Sequence, residues 1–355
     1  MILLIRCVLE NLKSKLFPFF LLVAGLLGLA AGCTKSPTSP GANQWGEATA
    51  NAFSNGRYGL AGAVFNNQMW ALGGASGPVT TYYSDVYSSN NGSNWTKVNP
   101  NAPFGGRYGS QVLSYNGLLW LIGGNNGGTL KNDVWNSPDG ANWTEVLAST
   151  TTGSATQFTP REDFGVLVYN NAMWVIGGFS PGISNNDVWT STNGTTWTKV
   201  LANGGSSLNQ FAGRWGLSTT VYNNAMWVMT GASSTTSDTD PTLVYSDVWT
   251  STTGSSWTRV SQANIFDAIY YSQAAVLDNE MWLTGGYLAN WGSRNIADTS
   301  STGANWTPGF GQFPFRFYHL SLVYKNNLWV IAGCNNVCQS TNCAVTYLND
   351  VWFTQ

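Results

Sequence analysis

Short apolar runs alternate with polar and small residues along most of the chain, and the runs come in pairs joined by two polar residues. In residues 57–74, one run ends at Phe65, Asn66 and Asn67 follow, and a second run contains Trp70. Two such runs, separated by two residues that tolerate positive φ, predict a β-hairpin with a type I′ turn. We therefore expect these segments to form strands rather than helices.

The hairpin recurs about every 50 residues, six times, and each copy continues with the same order of elements. A Gly-Gly pair ends the second run, an Asp-Val-Trp element follows, and a Trp-Thr-x-Val element closes the unit, which predicts four strands, A to D. Each of these elements is exact in four of the six copies. The strand-B tryptophans are Trp70, Trp120, Trp174, Trp227, Trp282 and Trp329. The two-residue turns are predicted at 66–67, 116–117, 170–171, 223–224, 278–279 and 326–327. A period of this length with four strands per unit indicates the blades of a β-propeller.

The two ends of the chain complete one another in this scheme. The sequence stops at Asp350-Val351-Trp352-Phe-Thr-Gln, a strand C without its strand D. Residues 41–45 resemble an unattached strand D that ends in Trp45. We therefore expect the N-terminal strand to complete blade six and close the ring, because closure removes exposed sheet edges.

The double-Gly and Asp-Val-Trp elements, each exact in four of the six units, resemble the kelch-repeat family of the galactose-oxidase central-domain type over residues 44–355. Blade four departs with Thr230-Gly231 and blade six with Ala332-Gly333. The resemblance implies an all-β, six-bladed kelch-type propeller with four antiparallel strands in each blade. The turns between strands C and D also resemble the Asp-box turn of sialidase-like propellers, as in Ser137–Trp143. In that family the box is a structural turn remote from the active site.

Residues 1–32 have a basic start and an apolar run, and they end before Cys33 in a sequence that resembles a bacterial lipobox. We interpret 1–32 as a lipoprotein signal peptide, Cys33 as the lipid attachment site and 33–43 as a flexible tether. The alternatives are an ordinary signal peptide or an uncleaved anchor helix. Thr34 replaces the Asp that often signals retention at the inner membrane, so we expect the outer membrane, with the lipid as the sole membrane contact.

Charge and cysteine use fit an exported β-protein. Charged residues are 9% of the chain, and removing 1–32 takes away three of 15 basic and one of 17 acidic residues, which leaves a net charge near −4. This balance argues against a nucleic-acid partner, and we expect a monomer. One disulfide is predicted within a set of three cysteines, and the sequence leaves the pair open. The set is Cys334, Cys338 and Cys343.

Uneven loops place the candidate binding site. The A–B turns are all short, whereas the loops between strands B and C vary in length, and they share one face with the D–A loops. A row of arginines begins strand A on this face, each 13 residues before the strand-B Trp. The row consists of Arg57, Arg107, Arg161, Arg214 and Arg316, with Ile269 in blade five. These guanidiniums suit an anionic ligand, an acidic glycan or a protein segment; the alternative is a structural network with the recurring strand-C Asp.

Aromatic residues near the same face extend the candidate site. Sixteen of the 18 tryptophans fall in the repeated strand positions, so they are assigned to the scaffold. Trp215 and Trp291 remain as candidate platforms, with Tyr287 and Tyr271 beside them. The alternative for these tryptophans is loop packing.

An enzymatic function is the alternative to simple binding. Galactose oxidase needs two copper-binding histidines, whereas this chain has His319 alone, so we predict no metal and no cofactor. A sugar epimerase or mutarotase acting on an acidic sugar needs only an acid and a base, and Glu162 and Asp163 are the candidates. A sialidase-like hydrolase is a further alternative, with Tyr270 or Tyr271 as its tyrosine.

Overall fold

The computed structural model describes residues 44–77, 81–233, 243–261, 267–288, 292–339 and 342–355. The predicted signal peptide, the tether with Cys33, and Trp291 lie outside the described residues. Every named element in the described ranges is a β-strand. Those ranges contain no helix with the length and apolar character that a membrane span requires.

In chain order, the strands of the described ranges are β1 (Trp45–Thr49), β2 (Ala61–Phe65), β3 (Gln68–Leu72), β4 (Ala75–Ser76), β5 (Thr81–Tyr82), β6 (Val86–Ser89), β7 (Thr96–Asn99), β8 (Gln111–Tyr115), β9 (Leu118–Asn125), β10 (Leu130–Ser137), β11 (Thr144–Leu147), β12 (Gly165–Tyr169), β13 (Ala172–Ser180), β14 (Ile183–Ser191), β15 (Thr198–Leu201), β16 (Ser218–Tyr222), β17 (Ala225–Met229), β18 (Val248–Ser251), β19 (Thr258–Ser261), β20 (Ile269–Tyr270), β21 (Gln273–Leu277), β22 (Glu280–Thr284), β23 (Tyr287–Leu288), β24 (Gly292–Ser293), β25 (Ala297–Ser300), β26 (Leu320–Tyr324), β27 (Asn327–Gln339) and β28 (Asn342–Thr354).

Six antiparallel sheets form the blades. Their strand orders are β2-β3-β6-β7, β8-β9-β10-β11, β12-β13-β14-β15, β16-β17-β18-β19, β21-β22-β25 and β26-β27-β28-β1. In blade five, a backbone bridge between Thr299 and Thr307 stands in for the fourth strand. The innermost strands β2, β8, β12, β16, β21 and β26 contact one another in cyclic order. The predicted all-β kelch-type propeller is therefore confirmed, and the six sheets agree with the predicted number of blades.

The ring closes through the N-terminal strand, as predicted. Strand β1 pairs antiparallel with β28, with Trp45 opposite Thr354 and Glu47 opposite Trp352. The Trp45 side chain is buried and meets the Phe313 ring edge-on, with centroids 4.8 Å apart. Blade six is thus built from both ends of the described chain.

The two-residue A–B turns have the backbone that type I′ geometry requires, with φ of 46° and 54° at Asn66 and Asn67. Blade six corrects the prediction by one residue. Its turn is Lys325-Asn326, with φ of 50° and 60°, and Asn327 already pairs with Tyr324 in the ladder. The strand register decides this position, because the turn lies at the same distance before the strand-B Trp in every blade.

The repeated tryptophans build the contacts between blades. Each strand-B indole N–H donates to the carbonyl five residues earlier, as from Trp70 to Phe65 at 3.0 Å. In five of the blades its ring packs on the C–D turn glycine of the next blade, so that a Cβ on Gly140 would collide with Trp70. The same pairing joins Trp120 with Gly194, Trp174 with Gly254, Trp227 with Gly303 and Trp329 with Gly92. The Asp-box-like turns are therefore structural.

Candidate functional site

The five arginines of the predicted row are buried and paired. Each is at most 1% exposed, and its guanidinium lies 2.6–2.9 Å from the strand-C carboxylate of its own blade. The pairs are Arg57–Asp85, Arg107–Asp133, Arg161–Asp187, Arg214–Asp247 and Arg316–Asp350. In each pair Nη1 also donates to the carbonyl 16 residues later, as from Arg161 to Gly177 at 2.7 Å.

This arrangement corrects the assignment of the row to ligand binding. The guanidinium forks point sideways into the blade, where the carboxylate and a backbone carbonyl occupy them, rather than upward into the channel mouth. Four strand-C tryptophans also donate their indole N–H to the same carboxylates, as from Trp189 to Asp187 at 2.8 Å. The alternative of a structural network is the one that the geometry supports.

Blade five keeps the aspartate but not the arginine. Ile269 is fully buried at the arginine position, and Asp298 is 6% exposed. The backbone N–H of Gly309 donates to the Asp298 carboxyl at 2.9 Å. Burial, without an arginine at the row position to offset it, raises the pKa of Asp298 to about 6.

Two residues after each position of the row, the backbone closes a ring of hydrogen bonds around the channel. The N–H of each blade donates to the carbonyl of the preceding blade at 2.8–3.1 Å, and Gly59 of blade one closes the ring by donating to the Tyr318 carbonyl of blade six. The ring positions are Gly59, Gly109, Asp163, Gly216, Tyr271 and Tyr318. All six have φ between 55° and 61°. Glycine adopts this conformation readily, whereas an aspartate and two tyrosines adopt it at a cost of about 1–3 kcal/mol each.

The three side chains on this ring converge. The Tyr271 hydroxyl donates to Asp163 Oδ2 at 2.9 Å, and the Tyr318 hydroxyl donates to Asp163 Oδ1. The two tyrosine rings stack with centroids 3.9 Å apart. Gly109 leaves the room for them, since a Cβ there would lie 2.6 Å from Asp163 Oδ1 and 2.7 Å from the Tyr318 hydroxyl. The mouth of the channel therefore carries a carboxylate held by two phenols.

Glu162 adds a second carboxyl to the mouth. Its Oε2 atom is buried and has no hydrogen-bond partner among the described residues. Burial raises the pKa of Glu162, while hydrogen bonding from Asn125 and Tyr108 lowers it, and the effect of burial is the larger. Glu162 and Asp163 therefore lie in different environments. One oxygen of Glu162 lacks a hydrogen-bond donor among the described residues, whereas both oxygens of Asp163 accept from a tyrosine hydroxyl.

Half-buried tyrosines surround the two acids. The Tyr58 ring lies 5.8 Å from Tyr108, 5.6 Å from Tyr318 and 5.6 Å from Tyr347, measured between centroids. Burial and nearby acidic groups raise the pKa of Tyr58 to about 12, and the same causes raise the pKa of Tyr108 further. We call Tyr58, Tyr108, Glu162, Asp163, Tyr271 and Tyr318 the mouth cluster. At neutral pH its phenols are uncharged.

Comparison with protein families gives a match over residues 63–286 to the KLHDC2/KLHL20/DRC7 Kelch-repeats domain. The chain belongs to the kelch-repeat family. Kelch repeats indicate a propeller of the kind that mediates protein interactions, and this is the functional class that the match supports. A search among curated proteins gave no significant match.

The predicted aromatic platforms of the kelch propeller divide between packing and the mouth. Trp215 is 6% exposed and meets the Tyr270 ring edge-on at 5.2 Å, so its indole face is covered. Tyr287 is half-buried beside Phe317, with centroids 4.8 Å apart, at the edge of the same face. Tyr271 belongs to the mouth cluster itself. Trp215 is therefore better described as loop packing than as a ligand platform.

Tyr58, Tyr108 and Tyr318 are the mouth residues that the sequence-based prediction missed. For Tyr318 a signal exists in the repeats. The residue two positions after the row is glycine in blades one, two and four, and a bulky residue in the other three. Comparing the blades at this offset singles out Asp163, Tyr271 and Tyr318, whereas the arginines draw attention by recurring.

His319 and the channel below the mouth are structural in character. The Nε2 atom of His319 lies 3.1 Å from Thr284 Oγ1. Burial and the nearby positive charge of Arg316 lower the pKa of His319 to about 3. The ring is therefore neutral and buried, as a structural histidine is. It lines a channel cavity of about 160 Å³, small for a ligand site. Within the described ranges, no group of three or more His, Cys, Asp or Glu side chains could hold a metal ion.

The blade-six cysteines lie on the long hairpin β27–β28. Cys334 is buried and free, and burial raises the pKa of its thiol above the ordinary range. Cys338 and Cys343 are directly opposite each other in the antiparallel register. Opposite residues in such a ladder have Cα atoms about 4.5–5.5 Å apart, a separation that a disulfide spans.

Proposed function

We propose that this kelch propeller is an exported, lipid-anchored interaction module that binds an extended protein segment across its loop face, at the mouth cluster. The observation that carries the proposal is the ring of six positive-φ positions. Three of them bear Asp163, Tyr271 and Tyr318, where glycine would avoid the strain. Backbone strain of this kind concentrates at functional sites. The uneven B–C loops surround the same mouth and would supply specificity.

The chemistry of the mouth favours a protein segment over an acidic glycan. Tyrosine combines a large apolar ring with a polar hydroxyl, and it is enriched in the buried centres of protein interfaces. An anionic sugar would approach two carboxyls, Glu162 and Asp163, while the guanidiniums of the arginine row are bound within their blades. The anionic ligand predicted from the row thus loses its main support.

A peptide array tests this proposal. Twelve-residue peptides of diverse sequence would be tested for binding to four proteins. These are the unchanged full-length protein, the single variants Tyr58→Ala and Tyr108→Ala, and Phe310→Ala as a control. Phe310 is 77% exposed and lies in the outer segment of blade five, so its removal should leave binding unchanged. We expect a set of peptides whose binding falls at least tenfold in both tyrosine variants. Equal binding by all four proteins would place the site elsewhere.

The anchor in this proposal rests on Cys33 and the segment before it. Changing Cys33 to Ser should abolish acylation and move the protein from the detergent phase to the aqueous phase, or leave an unprocessed precursor. Mass spectrometry of the mature N-terminus and detergent partitioning would check this. An unmodified N-terminus at another residue in the unchanged protein would contradict the anchor, and with it the outer-membrane location.

A second candidate function has one observation in its favour. The two mouth carboxyls are in different environments. Burial raises the pKa of Glu162, whereas Asp163 accepts hydrogen bonds from two tyrosine hydroxyls. Such a pair can divide the roles of acid and base in sugar epimerisation or mutarotation. A sialidase-like reaction lacks comparable support, because the pKa of Tyr271 is raised by burial and by Asp163, which disfavours a nucleophilic phenolate. Turnover of a sugar that Glu162→Gln abolishes would promote this candidate.

A further inference from the structure

We infer that the mouth cluster receives a cationic group, the ammonium of a lysine or the guanidinium of an arginine, between the Glu162 carboxylate and the surrounding tyrosine rings. This inference rests on the proposed function and names the anchor of the segment that the propeller binds. The inferred group is a cation, whereas the arginine row predicts an anionic ligand.

The Glu162 carboxyl is the first observation. Its Oε2 atom is withdrawn from solvent and has no hydrogen-bond partner within the described residues. A buried acceptor without a donor is costly, and the cost is recovered when a donor arrives from outside. A charged donor is the strongest such partner for a carboxylate. Asn125 and Tyr108 hydrogen-bond to the same carboxyl, whereas Oε2 is left to accept an N–H group that the described residues do not supply.

The tyrosine rings are the second observation. Tyr58, Tyr108 and Tyr318 enclose the mouth with centroid separations of 5.6–6.4 Å. Their hydroxyls stay protonated at neutral pH, because burial and the nearby carboxylates raise their pKa. Neutral aromatic faces beside a carboxylate attract ammonium and guanidinium groups through the ring quadrupole.

The third observation is where the arginines of the row direct their guanidinium groups. Arg161 directly precedes Glu162 in the chain, yet its guanidinium donates to Asp187 at 2.8 Å and to Gly177 rather than to Glu162. Asp163 takes its donors from Tyr271 and Tyr318. The positive charges of the row are thus directed into the blades, and the mouth keeps its two carboxyls, Glu162 and Asp163, without a guanidinium of the row. A cation from a partner complements this charge.

A small probe tests the inference without requiring a known partner. Nα-acetyl-lysine methylamide would be titrated into the full-length protein and followed by calorimetry and by the NMR signals of the tyrosine rings. Its Nε-acetylated form, which lacks the charge, is the matched ligand. We expect the charged probe to bind at least tenfold more tightly than the acetylated one. In Glu162→Gln this preference should disappear.

Controls separate the site from general charge effects. Glu145→Gln removes one carboxylate from the exposed outer strand β11 of blade two and should retain the full preference. Thermal melting of each variant would confirm that the fold persists. Equal binding of the two probes by the unchanged protein, or a preference that survives in Glu162→Gln, would overturn the inference. The peptide array tests the proposed function independently of this inference. Peptides that lack Lys and Arg but bind through Tyr58 and Tyr108 would support the proposed function and contradict the inference.

Discussion

The buried arginine–aspartate pair is the residue-scale unit of this propeller. Both partners are nearly inaccessible to solvent, and each carboxylate oxygen has a donor. Changing Arg161 to Met should leave Asp187 buried without its charge partner and cost about 3–5 kcal/mol. The double change Arg161→Met with Asp187→Leu should cost less than the single change. Denaturant unfolding of the three proteins would measure this, and a fully stable Arg161→Met protein would contradict the network.

Asp298 shows what the same aspartate does without its arginine. Its pKa in the folded protein is about 6, above the usual 3.8 for Asp, so the folded state binds the proton more tightly than the unfolded state. The stability from this group is therefore complete below about pH 4 and is lost as pH rises through 6. Blade five should thus weaken between pH 4 and pH 7.

Changing Asp298 to Asn tests this pH dependence. The amide can still accept from Gly309 but does not ionise, so the variant should gain roughly 2–3 kcal/mol relative to the parent between pH 4.5 and 7.5. Unfolding measured at several pH values would show the two curves diverging. Asp278→Asn, in the exposed A–B turn of the same blade, is the control and should run parallel to the parent. Parallel curves for Asp298→Asn as well would refute the raised pKa.

At the scale of strands and turns, the sequence predicted most of the structure, because the relevant signals are local. Asn66 and Asn67 have the positive φ that their residue type suggests, and the strand-B tryptophans fix the register of each blade. What the sequence could not settle was the direction of the arginine side chains. A guanidinium at the start of strand A can point to the channel or to its own strand C, and tertiary distance decides between them.

The long hairpin of blade six carries a prediction at the same scale. Because Cys338 and Cys343 are opposite each other in the ladder, we expect them to form the disulfide and Cys334 to remain free. Alkylation of the denatured mature protein, followed by peptide mapping, should label Cys334 alone among the three. Cys338→Ser should add Cys343 to the labelled set. Labelling of all three cysteines in the unchanged protein would rule out a disulfide on this hairpin.

At the scale of the whole molecule, two closures of different kinds hold the six blades in a ring. Near the axis, the six backbone hydrogen bonds from Gly59 round to Tyr318 join every blade to the next. At the rim, strand β1 supplies the fourth strand of blade six from the other end of the described chain. The inner closure positions the mouth cluster, and we expect damage to the outer closure to disturb this loop face through blade six.

The outer closure can be tested by removing one side chain from β1. Trp45 is 6% exposed and packs against Phe313, whereas Glu47 on the same strand is exposed. Trp45→Ala should cost about 3–5 kcal/mol through lost burial and the cavity left behind. Deletion of residues 41–49 should cost at least as much, because it also unpairs β28 and uncovers Trp352. Glu47→Gln, the control, should melt with the parent. A deletion protein that melts at the parent's temperature would show that the ring does not depend on its N-terminal strand.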